Sequence, residues 1–306
     1  MLNLIITADD YGYNSERNLG IKYCLENGAV SRTSAMVNGL ACLSGRDILN
    51  NLPKKATVGL HLNLTEGRPL QCHSSLRQYG FFSSKQSLTM LLDDDDVIKK
   101  SEVKSEIILQ INKFKELFGL YPPYVDGHHH VHVFPGIVRD VLASVMSELN
   151  IREVRMPHDG TFDEARDDAT LNETADGSLR DFLMSVNTEA EKAKSVYKHH
   201  SIKFSDHFFG LSTMGLMMTE DKIKNILLKM RSEATNSKTP NKITTCELMA
   251  HPGYPCTDPT RGGCGEGADQ FAQSTDRLHE LNVLNSTSLK QFYRDNNIHL
   301  ISLVSS

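Results

Sequence analysis

The sequence predicts an α/β fold, a distorted parallel β/α barrel built as a single domain over residues 1–306. Three observations carry this prediction. Short β-branched apolar runs alternate with stretches of helical spacing, giving about eight strands separated by helices. Polar residues with ligand chemistry gather just after several of those runs, where α/β folds place their sites. The chain of 306 residues shows no internal repeat, low-complexity tail or interdomain linker, and that length is ordinary for one barrel.

The elements follow in order. Ile5-Ile6-Thr7-Ala8 reads as a buried strand that ends in Asp9-Asp10-Tyr11-Gly12. Asn14 or Ser15 can cap a helix running to Asn27-Gly28, a helix stop. Val30–Val37 is a second strand, Ala41–Asn50 a helix and Thr57–Leu64 a third strand around His61. Thr65-Glu66-Gly67-Arg68-Pro69 opens a long loop, and the run Asp93–Asp96 suits a negatively charged helix N-terminus. Val103, Ile107, Ile111, Phe114 and Phe118 step at helical spacing up to Gly119, a stripe for core packing.

Tyr124–Val133 reads as a fourth strand or a strand plus loop, Pro135–Leu149 as a helix and Glu153–Met156 as a short strand. Residues from Pro157 to Gly177 form a loop rich in Asp, Thr and Gly, followed by a helix over Arg180–His199. Ile202–Phe209 is the next strand, Thr219–Arg231 a capped amphipathic helix and Thr244–Ala250 a strand ending at His251-Pro252-Gly253. A glycine-rich loop spans Cys256–Gly267, and two helices and a last strand, Ile298–Val304, complete the chain.

Composition excludes several classes of function. Net charge is −5 with both signs scattered, so no basic stripe points to nucleic acid or an acidic membrane surface. There is no run of apolar residues long enough to span a membrane, and no charged n-region of a signal peptide. The six cysteines lack a Cys-x-x-Cys pair and read as reduced thiols, so a cytoplasmic location is expected. The pattern neither requires nor excludes a homodimer.

The chemistry lies in two carboxylates and in histidines. Alone, Asp9-Asp10 would be an acidic turn or a helix cap. At the end of a strand, the two side chains point to opposite faces, so one can hold a metal while the other takes a proton. In Asp126-Gly127-His128-His129-His130-Val131-His132, an extended chain puts His128, His130 and His132 on one face and His129 on the other. A row of imidazoles suits a borderline divalent metal. Asp10, His61 and one of this cluster make one carboxylate and two imidazoles, leaving open positions for water and substrate. His251 stands in a tight Pro-Gly turn after a strand, where an imidazole suits a general acid or is simply a turn residue.

Four stretches together, Thr7-Ala8-Asp9-Asp10-Tyr11-Gly12, Gly59–Gly67, Asp126–His132 and Glu247–Pro255, resemble the YdjC family of carbohydrate deacetylases. Gly262-Gly263-Cys264-Gly265-Glu266-Gly267 and Arg277-Leu278-His279-Glu280-Leu281 resemble the animal homologues more than the bacterial chitooligosaccharide enzyme. The resemblance implies removal of acetyl groups from N-acetylated sugars or oligosaccharides with one divalent cation, magnesium or zinc, with manganese or cobalt as alternatives. It implies Asp10, His61 and His128 as metal ligands, Asp9 as base and His251 as acid. The His-x-x-x-His motif of the wider polysaccharide deacetylases is absent.

Chemistry adds further expectations. Arg155 would hold Asp9 ionised from behind, or else be a surface charge at a strand end. A backbone N–H near Tyr11 would hold an oxyanion. His130 and His132 would orient ligands or touch sugar hydroxyls, and Tyr11, Tyr254 and Phe208 would stack on a sugar ring or pack in the core. Two rivals are a phosphoesterase or other amidohydrolase on a similar barrel, and a sugar-binding protein without turnover. The first would need more carboxylates to bridge two metals.

Overall fold

In a computed structural model, the described residues are 1–72, 75–85, 87–88, 99–164, 177–235, 243–258, 264 and 269–304. The strands are β1 (Leu2–Tyr11), β2 (Arg32–Ala35), β3 (Val58–Leu62), β4 (Arg77–Gln78), β5 (Phe81–Phe82), β6 (Val125–Gly127), β7 (His207–Phe209), β8 (Thr244–Ala250) and β9 (Ile298–Leu300). The helices are α1 (Ser15–Glu26), α2 (Cys42–Asn50), α3 (Lys100–Phe118), α4 (Ile137–Glu148), α5 (Gly160–Glu164), α6 (Gly177–His199), α7 (Glu220–Thr235), α8 (Gln270–Gln273), α9 (Asp276–Asn285) and α10 (Thr287–Asp295).

Strand β1 is buried along its whole length, as its nearly continuous apolar run requires of a parallel strand covered on both faces. One edge pairs with β8 from Leu2↔Thr244 to Ala8↔Ala250. Its other edge is shared between β9, along Leu2–Leu4, and β2, along Thr7–Tyr11. The sheet runs β6-β3-β2-β1-β8-β7, all parallel. The opening between β6 and β7 is spanned by three single parallel bridges, Val125↔Val154, Glu153↔Lys203 and Asp159↔Phe208. The sheet therefore curls into the predicted barrel, distorted on that side.

Where structure and expectation part, the reasons are local. Glu153–Met156 makes single bridges instead of a full strand, and the small antiparallel pair β4–β5 interrupts the long loop after Thr65. Among the described residues, the closing segment has three helices instead of two. Asp93–Asp96 and most of Gly262–Gly267 lie outside the described residues. Helix α3 buries Val103, Ile107, Ile111 and Phe114 as its spacing predicts, and Gly119 ends it at φ +80°, a left-handed stop suited to glycine. Among the described residues, no helix is long and apolar enough to cross a membrane.

The largest difference concerns the histidines. Strand β6 stops at Gly127, and His128–Val133 forms a 3₁₀ turn with His129 (φ +51°) and His130 (φ +59°) left-handed. The extended reading, with His128, His130 and His132 on one face, is therefore corrected. Gly127 permits the turn, because a Cβ there would lie 2.7 Å from His132 Nδ1.

Candidate active site

The site forms where the carboxyl ends of β1, β3, β6 and β8 converge. β1 brings two adjacent acids there through a local irregularity. Its register with β2 shifts between Ala8 and Tyr11, and Asp10 sits at φ +66°. This break lets Asp9 and Asp10 line one cavity of about 620 Å³ instead of facing opposite ways.

Asp10 faces two imidazoles. Its Oδ1 lies 3.2 Å from His61 Nε2 and 3.1 Å from His128 Nδ1. One donor atom from each of the three residues falls within 4.8 Å of the others. Asp10 Oδ2 is buried without a hydrogen-bond partner, and Arg17 stands 3.8 Å away. A buried carboxylate oxygen without a hydrogen bond, beside two imidazoles, is one that a cation would satisfy. Two other groupings, Glu66–His128–His129 and Asp9–His61–Asp126, come as close. In the latter, Arg155 already neutralises both carboxylates, which disfavours a cation there.

The ligand candidates are held from behind. Asp126 Oδ1 accepts from His61 Nδ1 at 2.7 Å, which directs Nε2 toward Asp10. Glu66 Oε2 meets His128 Nε2 at 2.8 Å. Burial lowers the His61 imidazole, but the Asp126 and Asp10 carboxylates outweigh it and lift His61 to about 10. Burial also lowers His128, and hydrogen bonds to Asp10 and Glu66 lift it to about 9. For Asp10, burial pushes upward, but the His128 and His61 hydrogen bonds hold the carboxyl well below the ordinary range.

Asp9 has a different set of neighbours. Arg155, buried and 0 % exposed, clasps it with Nη1 to Oδ2 at 2.5 Å and Nη2 to Oδ1 at 2.7 Å. The same guanidinium reaches Asp126 Oδ2 at 3.0 Å and Glu247 Oε1 at 2.9 Å. Burial pushes the Asp9 carboxyl up to about 6, and Arg155 opposes that rise. Burial raises Asp126 too, but Arg155 and His61 overcome it and hold it well below the usual range.

His251 Nε2 lies 3.9 Å from Asp9 Oδ2, and the residue is 12 % exposed. Burial, opposed by Asp10 and aided by Arg277 and Arg17, holds the imidazole well below its ordinary value, so it is neutral near pH 7. Helix α1 presses on the turn after it. Arg17 Nη1 donates to His251 O at 3.0 Å, and a Cβ on Gly20 would lie 2.5 Å from Gly253 Cα.

The sequence-predicted residues Asp9, Asp10, His61, His128, Arg155 and His251 thus come together. His130 lines the cavity with Nδ1 unpaired. His132 does not: it is buried, with Nε2 3.1 Å from Arg155 O, so the expectation that it touches sugar is corrected. Tyr11 is also corrected. Its side chain is buried in the core and its hydroxyl donates to Gly45 O at 2.6 Å. Phe208 is likewise buried, and Tyr254 is 37 % exposed but does not line the cavity. Glu66, Tyr13 and Asp269 were missed. Glu66 lies in a loop, where a single acid carries no periodic signal.

Comparison with known proteins places the chain in a family. The family model described as YdjC-like protein matches residues 3–295. A carbohydrate deacetylase of Danio rerio is 37 % identical over 98 % of this chain and 96 % of its own. One from Homo sapiens is 35 % identical over 99 % of this chain and 90 % of its own. The chitooligosaccharide deacetylase of Escherichia fergusonii is 30 % identical over 94 % and 92 %. A crystal structure described as an Enterococcus faecalis cellobiose-phosphate cleavage protein superposes with a TM-score of 0.72 at 18 % identity, covering 97 % of this chain and 96 % of that one, and shares the fold. With the family model spanning nearly the whole chain and relatives above 30 % identity along its length, the chain belongs to the YdjC family.

Proposed function

We propose that this chain hydrolyses the acetamide of an N-acetylated carbohydrate, releasing acetate and a free amino sugar, with one divalent cation held by Asp10, His61 and His128. The observation that carries the proposal is the pairing of two sites in one cavity. A three-donor set with a buried carboxylate oxygen that accepts no hydrogen bond lies beside a second carboxylate, Asp9, that Arg155 clasps and His251 faces. The relatives named carbohydrate deacetylase and chitooligosaccharide deacetylase supply the substrate class. One carboxylate and two imidazoles suit zinc, and also magnesium, manganese or cobalt if waters complete the shell.

The cation, when bound, polarises the acetyl carbonyl and acidifies water. The chain's own groups move the protons. Asp9 accepts the proton of the attacking water as the new C–O bond forms. Arg155 keeps the Asp9 carboxylate ionised near neutrality and fixes its orientation. His251 Nε2, 3.9 Å from Asp9 Oδ2, is placed to receive that proton and pass it to the nitrogen as the C–N bond breaks. A neutral imidazole is the right starting state for such a relay, because it can accept before it donates. The apolar side of the cavity, with Phe162, Leu183 and Met249, limits water around the reacting amide.

Acetate release from a panel of N-acetylated mono- and oligosaccharides tests the proposal. The native enzyme should release acetate in a cation-dependent way. Asp9→Asn should bind the cation and release none, and His61→Ala should lose both. Full activity in Asp9→Asn would refute the assignment of the base. Cation and sugar binding without acetate from any substrate would make the chain a binding protein.

A further inference from the structure

Tyr13 is neither one of the three donors nor part of the proton-handling pair, yet its hydroxyl holds a distinctive position. It lies between Glu66 Oε1, at 2.5 Å, and Asp269 Oδ2. The other Glu66 oxygen meets His128 Nε2 at 2.8 Å, and His128 Nδ1 faces Asp10 Oδ1 at 3.1 Å. At the far end, Asp269 Oδ1 accepts from the Phe271 backbone N–H at 2.8 Å and caps α8. A continuous chain of polar contacts therefore runs Asp10, His128, Glu66, Tyr13, Asp269, Phe271.

Phe271, at the end of that chain, faces the cavity. Its ring is 39 % exposed and lines the same cavity. It stands edge-on to His251, with centroids 5.9 Å apart and planes at 85°. The Arg277 guanidinium lies 4.4 Å from the ring centroid and that of Arg17 lies 5.1 Å away. An aromatic ring beside the proton-delivering group offers an apolar face to the C–H face of a sugar. Helix α8 has four residues, of which Ala272 is buried in a small cluster with Tyr13, Met36, Cys256 and Cys264. The Cys256 N–H donates to Ala272 O at 2.8 Å, and the Asp269 cap and the stack against the two guanidinium groups set the Phe271 end.

We propose that Tyr13 is a positioning residue that ties Phe271, the wall against which the sugar stacks, to the cation site, so that cation and sugar bind with positive coupling. The identity of the sugar rests on the deacetylase reading above; the link between cation and α8 belongs to the chain itself. A cation that draws His128 and Glu66 into fixed positions fixes Tyr13 and Asp269 with them, and with Asp269 the Phe271 backbone. Coupling of this kind is reciprocal: the cation tightens the sugar by the factor by which the sugar tightens the cation.

The test uses the full-length protein and Tyr13→Phe, which removes the hydroxyl and keeps the ring. Zinc or magnesium affinity is measured by calorimetry with and without the β1,4-linked disaccharide of N-acetylglucosamine, in an Asp9→Asn background that prevents turnover. The disaccharide should tighten the cation about tenfold with Tyr13 present, the scale of one hydrogen bond to a charged group, and not at all in the Phe variant. In parallel, amide exchange over residues 269–273 should slow on adding the cation to the native protein and stay unchanged in Tyr13→Phe. Acetate assays should show KM rising more than kcat falls. Asp269→Ala, which removes both the Tyr13 contact and the Phe271 cap, should reproduce the loss and replaces Tyr13→Phe if that variant does not fold. Persistence of sugar-dependent tightening, or of the cation-dependent exchange response, in both variants would overturn the proposal. A purely structural Tyr13 would lower the melting temperature and leave both responses intact. If the native enzyme releases no acetate, the deacetylase reading fails, while the exchange measurement with cation alone still decides the link.

Discussion

Replacing Arg155 with Met is the sharpest perturbation of the site. The guanidinium is buried and touches three carboxylates, Asp9, Asp126 and Glu247, at 2.5–3.0 Å. Methionine fills similar volume but leaves those acids without their shared counter-ion. Removing one partner of a buried ion network costs about 3–5 kcal/mol. With an unfolding entropy of about 2.1 cal/mol/K per residue over 306 residues, that loss lowers the melting temperature by about 5–8 °C. Catalysis suffers as well. Burial already lifts Asp9 to about 6 with Arg155 in place. Without the guanidinium, the carboxyl rises further and is protonated at neutral pH. Acetate release should fall by about a hundredfold or more, the contribution of a general base. Arg155→Lys keeps a charge but cannot span Asp9 and Asp126 at once, so it should regain stability before it regains activity. Scanning fluorimetry and an acetate assay measure the two effects. A Met variant that melted within about 1 °C of native and kept its rate would refute the idea that this network fixes the base.

Other outcomes follow from the same geometry. Asp126→Asn weakens the hold on His61 Nδ1 and should cost about 10–100-fold in cation affinity, measured by calorimetry. His61 near 10 and His128 near 9 are both protonated in the metal-free protein at neutral pH, so cation binding should expel close to two protons. Affinity should then climb by approaching about a hundredfold per pH unit from 7 to 9, and calorimetry in buffers of different ionisation enthalpy reads the proton count. The same raised values stabilise the metal-free fold fully below about 6.5, and that stability drains away as pH climbs through about 9–10. The melting temperature of the chelated protein should fall across that window; a flat profile would contradict the assignment. His251→Gln should slow amide hydrolysis by about a hundredfold but spare an acetylated phenol, whose leaving group needs no proton. Equal losses on both substrates would remove His251 from the proton path.

Much of the site was readable because it hangs on strand ends. β1, β3 and β8 announce themselves by apolar, β-branched composition, and Asp9, Asp10, His61 and His251 fall at their carboxyl ends. Spacing could not give the path of His128–His132. The turn there depends on clearance at Gly127 and on partners far along the chain, Thr65 for His129 and the Arg155 carbonyl for His132. The Glu66–Tyr13–Asp269 contacts join residues 53 and 256 positions apart, and no local pattern encodes such a meeting. Tyr11 illustrates the opposite error: an aromatic next to a site attracts a functional reading, while its ring packs beneath α2 and its hydroxyl ends on Gly45.

The backbone at Asp10 narrows what this position can become. A residue at φ +66° is tolerated by glycine, asparagine and aspartate, and resisted by the longer or branched side chains. Of those three, aspartate alone brings a negative charge. Glutamate and cysteine would each strain that backbone, whereas histidine, which this chain already holds left-handed at 129 and 130, would bring a neutral ring in place of the charge. For the proposed cation site, that backbone favours keeping the carboxylate and tuning ion preference through the two imidazoles opposite it.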